Sequence, residues 1–281
     1  HTIGRRQRQM CIRDSLSFAL LFVALAPVLI DRVPFRKQLF IFTGLYPFLA
    51  GWLIFGWFAL PPVASQDIGG LALTLIIGIT GIAFSLPIGI LLALGRTSNL
   101  PVIKILSVLF IEFIRGVPLI ALLFIASTML NYFMPPGTTF DLLVRVLIMV
   151  TLFASAYMAE VIRGGIAGIP KGQIEAASAA GLSYWKTMYL IVMPQVLKIS
   201  IPGIVNTFIG LFKDTTLVLI IGMFDLLGMG KAALTNLNWA GLHREMYLFV
   251  AVAFFFCCYG MSLYSGYLER KLDTENKFQK K

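Results

Sequence analysis

Six stretches of this chain are apolar over about twenty residues or more, at positions 39–60, 71–94, 105–134, 142–162, 190–212 and 246–268. At 1.5 Å per residue, a helix needs about 20 such residues to cross roughly 30 Å of hydrocarbon. Nothing else constrains the fold as strongly, because backbone inside a bilayer must satisfy its own N–H and C=O groups, and only helices or closed barrels do so. Continuous apolar runs of this length, without strict alternation, select helices. The expected fold is an all-α integral membrane protein. Composition agrees, with 58% of the 281 residues hydrophobic and 13% charged, about half the charged share of a water-facing domain. Residues 16–30 are a short seventh candidate span, and 215–228 (TTLVLIIGMFDLLG) is apolar but too short to cross unaided. The latter reads as a re-entrant or interfacial segment, which requires protein to cover its free backbone groups.

The charge is +10, and its distribution reports orientation rather than a nucleic-acid surface. Segments 31–38, 95–104, 163–187 and 269–281 hold thirteen Lys and Arg, while the alternate segments 61–70, 135–141 and 213–245 hold three. By the positive-inside rule the 163–187 loop and the C-terminus are cytoplasmic. Residues 1–15 break the pattern: if 16–30 spans, Arg5, Arg6, Arg8 and Arg13 lie outside. Either 16–30 does not span, or residues 1–15 are a non-native or disordered N-terminus to be set aside. Residues 16–68 then form an N-terminal transmembrane extension of one or two helices, and 271–281 a cytoplasmic tail.

Cys11, Cys257 and Cys258, with His1 and His243, offer neither a disulfide framework nor a metal-ligand spacing. Gly228, Gly230 and Lys231 lack the first Gly and the following Ser/Thr of a phosphate loop. No catalytic residue, metal or cofactor is expected on this chain. Energy for active transport must therefore enter from another protein or from an ion gradient.

One hydrophilic loop stands out, running from Arg163 to Thr187 as RGGIAGIPKGQIEAASAAGLSYWKT. Pro170 and Gly172 end the preceding helix, and Ile174 onward contains good helix formers, which predicts a short helix parallel to the membrane. Ala176, Ala177, Ala179, Ala180 and Gly181 make it a slim rod that a partner's groove can close around, while Gly181 permits a bend toward Tyr184 and Trp185. From spacing alone, a plain surface connector is equally open.

Glu175-Ala176-Ala177, three residues, Gly181, nine residues, then Ile191-Val192-Met193-Pro194 resembles the EAA signature of permease subunits of binding-protein-dependent ABC importers, with Met193 in place of Leu. GGLALTL (69–75), EFIRGVPL (112–119), AYMAEVIRGG (156–165), GIPKGQIEAASAAGLS (168–183) and GLFKDTTL (210–217) resemble the polar amino-acid branch. The resemblance implies a five-helix type I core over 69–270, and a coupling loop 163–188 in which Gly172, Glu175, Ala176, Ala177, Gly181 and Pro194 meet the motor. It also implies a cytoplasmic ATPase dimer carrying ATP and Mg, a second related permease, a periplasmic amino-acid-binding protein and a bacterial inner membrane, with no nucleic acid. Transport of another small polar solute, or ion-coupled transport with intramembrane carboxylates as ion sites, are the rival readings.

Glu112 and Arg115 lie three residues apart in an apolar span, and Glu160 and Arg163 repeat that spacing near a span's end. Intramembrane charges are costly unless paired or facing water. Both pairs are candidates for the translocation path or its gate, or for clamps that fix helix packing. Lys213 and Asp214 form a third charged pair, expected at the external mouth or as a solvated helix end.

Overall fold

The computed structural model describes residues 68–129, 132 and 141–272. The expected spans 16–30 and 39–60, residues 1–15 and the tail beyond 272 lie outside the described residues. The elements are α1 (Gly70–Arg96), α2 (Pro101–Gly116), α3 (Leu119–Phe124), α4 (Leu142–Ala167), α5 (Lys171–Ala179), α6 (Tyr184–Thr187), α7 (Met193–Asp214), α8 (Leu226–Ala233) and α9 (His243–Leu272). α1, α4 and α9 are each long and apolar enough to cross a membrane, as is the run Tyr184–Ile221 that carries α6 and α7. Counted as one span, the bent pair α2–α3 brings the total to five.

That pair puts a sharp bend into the span expected over 105–134, at the Gly116 to Pro118 break in its sequence. α2 stops at Gly116, and α3, prolonged by a π turn over Ile125–Met129, leaves it at 101°. Pro118 is the cause, because it lacks an N–H and its ring drives the preceding residue out of the helical region. Val117 sits accordingly at φ −106 and ψ 131. α3 then follows α4 in the antiparallel sense: Arg115 lies near Glu160 at one end, and the Ser127 carbonyl meets Arg145 at the other. α2 is thus turned across the end of the bundle from which the 163–188 loop emerges, with Ile111 buried in a cluster that includes Met158, Ile162 and Val196.

Glycines let the spans approach closely. A Cβ at Gly89 of α1 would stand 2.7 Å from Met158 Cβ and 3.2 Å from the Ala159 backbone nitrogen, and one at Gly203 of α7 would stand 2.7 Å from Val161 Cγ1. The second core cluster, farther from the loop, holds Leu73, Ile77, Leu123, Val146, Val150 and Val218. Replacing Gly89 with leucine is expected to overpack the α1–α4 seam by about 1–3 kcal/mol. A lower thermal midpoint of the purified protein, with Gly260→Leu as a control at a position that no other described residue approaches within 4 Å, would show it.

The segment expected to be re-entrant is covered by protein. A 3-10 turn over Thr215–Ile221 prolongs α7, and Gly222 at φ +85 reverses the chain. The Gly70 N–H donates to the Phe224 carbonyl at 2.8 Å, and the Leu226 N–H donates to Thr74 Oγ1 at 3.2 Å. Fully buried Asp225 caps α8 by accepting from the Gly228 and Leu227 N–H groups. The Phe224 carbonyl and the Leu226 N–H are therefore met by α1, and the Leu227 and Gly228 N–H groups by one carboxylate, as a break at membrane depth requires.

Candidate functional site

The loop between α4 and α7 is ordered by two local devices. Pro170 fixes the approach to α5, whose first residue is Lys171, so Gly172 lies inside its first turn. Gly172 is not a helix breaker, as its sequence position suggested, because an N–H in the first turn has no helical partner to lose. At the other end the Gly181 N–H donates to the Ser178 carbonyl and the Leu182 N–H to the Ala177 carbonyl, at 3.0 and 3.1 Å. With Gly181 at φ +74, this is a Schellman cap, a geometry that favours glycine because it has no Cβ. Glu175 and Ala176 are exposed, while Ala177 alone in α5 is buried, at 3% exposure. α5 thus presents a small-residue face outward, and α6 follows with exposed Tyr184 and Trp185 in edge contact.

Pro194 occupies the first turn of α7, after a π turn over Met188–Val192. Its missing N–H leaves the Leu190 carbonyl without its helical donor, and beside it the Gln195 side-chain amide donates to the Ile191 carbonyl at 2.8 Å. The signature's final proline therefore marks the place where the loop joins its span.

The four charges expected as two separate pairs form one cluster with Arg96. Arg96 Nη1 donates to Glu112 Oε1 at 2.7 Å and lies 3.1 Å from Glu160 Oε1. Arg163 Nε donates to Glu160 Oε2 at 3.0 Å, and Arg115 lies 3.8 Å from the same oxygen. Glu112 and Arg115 thus engage other helices rather than each other. Nor are they deep in a span: the bend at Pro118 brings α2 level with Arg96, which ends α1, and with Arg163, in the last turns of α4 before the loop. Glu160, with its side chain 16% exposed, is the shared acceptor at the centre. Three guanidiniums against two carboxylates leave one positive charge uncompensated.

Between α4 and α7 lies a cavity of about 300 Å³ whose lining includes Phe153, Tyr157, Asn206, Thr207, Gly210 and Asp214. Asp214 faces it. Lys213, one residue away and exposed, makes no ion pair with Asp214 among the described residues, so the expected charged pair is split. Consecutive helix positions point about 100° apart, which is the reason.

Sequence reasoning passed over Arg145. It is 9% exposed and donates from Nη1 to the carbonyls of Ala126 (3.4 Å) and Ser127 (2.5 Å), within the π turn that ends α3. The signal was present as a lone arginine inside an apolar run, a costly placement. It holds α3 against α4 on the side facing α3.

A helical core broken at Pro118, with charges from three helices gathered at one end and an exposed small-residue loop beyond them, has the architecture of a membrane transport subunit. The chain belongs to the binding-protein-dependent transport system inner membrane component family, whose model matches residues 85–274. It is 48% identical to the glutamate/glutamine/aspartate/asparagine transport system permease protein BztC of Rhodobacter capsulatus, over 93% of this chain and 74% of that protein. It is 50% identical to the inner membrane amino-acid ABC transporter permease protein YhdY of Escherichia coli, over 93% of this chain and 72% of that one. Among solved structures it resembles an amino acid ABC transporter crystallised with histidines, at TM-score 0.64 and 28% identity over 72% of this chain and 92% of that one. The fold is shared with the MetNI methionine ABC transporter, at TM-score 0.54 and 19% identity over 70% of this chain and 91% of that one. The chain is thus a multi-pass inner-membrane transport subunit, not an enzyme. Its family works with an ATPase and a substrate-binding protein.

Proposed function

We propose that this chain is one of two non-identical permease subunits of an ATP-driven importer of L-amino acids, and that loop 163–188 receives the stroke of a cytoplasmic ATPase dimer. The observation that carries the reading is the loop itself: an exposed α5 with a small-residue face, closed by the Gly181 cap at the spacing of the EAA signature. In this reading the loop and the C-terminus are cytoplasmic, as the basic residues argue. Residues 69–270 form the transport domain, residues 16–68 add the N-terminal spans, and ATP and Mg are held by the partner. Gly172, Glu175, Ala176, Ala177, Gly181 and Pro194 shape the docking loop. Glu112, Arg115, Glu160 and Arg163 form a gate at its root, and Asp214 lines the solute path through the α4–α7 cavity while Lys213 faces the external mouth. The relatives' names favour amino acids as cargo, and a cavity of about 300 Å³ is large enough for one small solute. Lipid covers the exposed apolar face of α9, where Phe249, Phe255 and Phe256 project.

Copurification of the complex from its native membrane tests this. An ATPase, a second permease and a binding protein are expected to accompany this chain, and the reconstituted set to take up L-glutamate or L-glutamine only with ATP. Uptake by this chain alone, driven by an ion gradient, would overturn the reading.

A further inference from the structure

We propose that Tyr157 closes the loop-side end of the α4–α7 cavity and that Arg115 is the positioning residue holding it there, so that the coupling loop sets the gate through a chain of four side chains. The inference rests on the reading of that cavity as part of the solute path.

Toward the loop end, α4 and α7 close on each other: Gly203 packs on Val161, and one turn further on Gly165 lies against Ser200 and Val196. Of the residues of α4 that line the cavity, Tyr157 is the nearest to the loop. This residue lines the cavity at the level of Asn206 and Thr207, one turn before Glu160. Its ring is held on two sides: Phe153 is 4.9 Å away between centroids, and Arg115 Cζ stands 5.6 Å from the ring centre, within cation–π range.

Arg115 is the loosest member of the ionic cluster. Its contact with Glu160 is long, at 3.8 Å, whereas Arg96 and Arg163 approach the two carboxylates at 2.7–3.1 Å. Glu160 in turn receives Arg163 at 3.0 Å, one turn further along α4, four residues before the helix ends at Ala167 and gives way to the loop. The contacts therefore run Arg163, Glu160, Arg115, Tyr157. A movement of the loop that draws Glu160 along with Arg163 takes from Arg115 the anion that fixes it over the ring. Tyr157 is 38% exposed, and Phe153 and Arg115 are the partners of its ring among the described residues. Its hydroxyl has no part in this scheme; the ring does.

The test reads access to the cavity, not uptake, so it does not depend on which solute is carried. In a complex whose Cys11, Cys257 and Cys258 are replaced by serine, Thr207→Cys is labelled with a membrane-impermeant thiol reagent from the loop side, before and after trapping with ATP, Mg and vanadate. With the native tyrosine, the labelling rate is expected to fall about tenfold on trapping, in proportion to the population shifted to the closed arrangement. Tyr157→Phe and Arg115→Lys should keep the fall, since ring and charge remain. Tyr157→Ala and Arg115→Gln should abolish it, while the complex still elutes as one assembly. A full tenfold fall in Tyr157→Ala overturns the gate. A cysteine that reacts in neither state of any variant removes the cavity from the path, and with it the reading on which the gate rests.

Discussion

Replacing Gly181 with valine is expected to lower ATP-driven uptake about tenfold or more while the complex still assembles and hydrolyses ATP. The left-handed backbone at φ +74 costs an ordinary L-residue about 1–2 kcal/mol, and a β-branched one the most. That is a factor of roughly 5–30 in the population of the capped loop. Among the described residues, beyond its chain neighbours, nothing lies within 4 Å of the position a Cβ would take, so the substitution creates no clash with that part of the fold. Its effect falls on the shape of α5's end and on whatever groove closes over it. Gly181→Asn, which tolerates this backbone region better, should retain more uptake than valine. Uptake, vanadate-sensitive ATP hydrolysis and copurification of the ATPase are to be measured on one preparation. Undiminished uptake in Gly181→Val would remove the loop from its assigned part.

Glu160→Ala is the second large effect. The carboxylate stands within 4 Å of Arg96, Arg115 and Arg163, and removing it leaves three guanidiniums with Glu112 alone. Removing one partner from a fully buried pair costs about 3–5 kcal/mol. Here the arginine side chains are 22–42% exposed, so water screens the repulsion and about 1–3 kcal/mol is the expected loss. The thermal midpoint of the purified complex should fall by several degrees, and uptake should fall further than stability alone explains, because the loop's root loses its tie to α2. Glu160→Gln, which retains hydrogen bonds without the charge, should be intermediate. Glu112, with its side chain 53% exposed, should tolerate glutamine with little change. Equal effects at both positions would mean the cluster is only a surface feature.

The spans over 71–94, 142–162, 190–212 and 246–268, the loop and the bend at Gly181 were legible in the sequence because each rests on a local rule. Hydrocarbon thickness sets the run length, Gly181 sits where a helix must end, and Pro170 and Pro194 flank the loop. What escaped was relational. Spacing put Glu112 beside Arg115 and Glu160 beside Arg163, yet only the Pro118 bend decides that α2 turns across the bundle and delivers Glu112 to Arg96. Proline marked the break but not its angle. Arg145 was missed for another reason: its partners are backbone carbonyls, which no pattern of side chains reveals. The cavity at Asp214 and Tyr157 depends on glycines elsewhere, at 165 and 203, that draw α4 and α7 together on one side of it.

The π turn at Met188–Val192 bears on how the chain can vary in length. A helix that closes its hydrogen bonds five residues back carries one residue more than a regular turn, and that surplus is held locally, without altering the phase of the helix on either side. Removing one residue there would let the turn revert to regular geometry, with α5 still aimed as before. The same deletion a few positions later, within α7, would rotate everything before it by about 100° and carry Gly181 and its rod to the wrong side of the bundle. The junction between loop and span is therefore the place where the chain can gain or lose a residue and keep its aim.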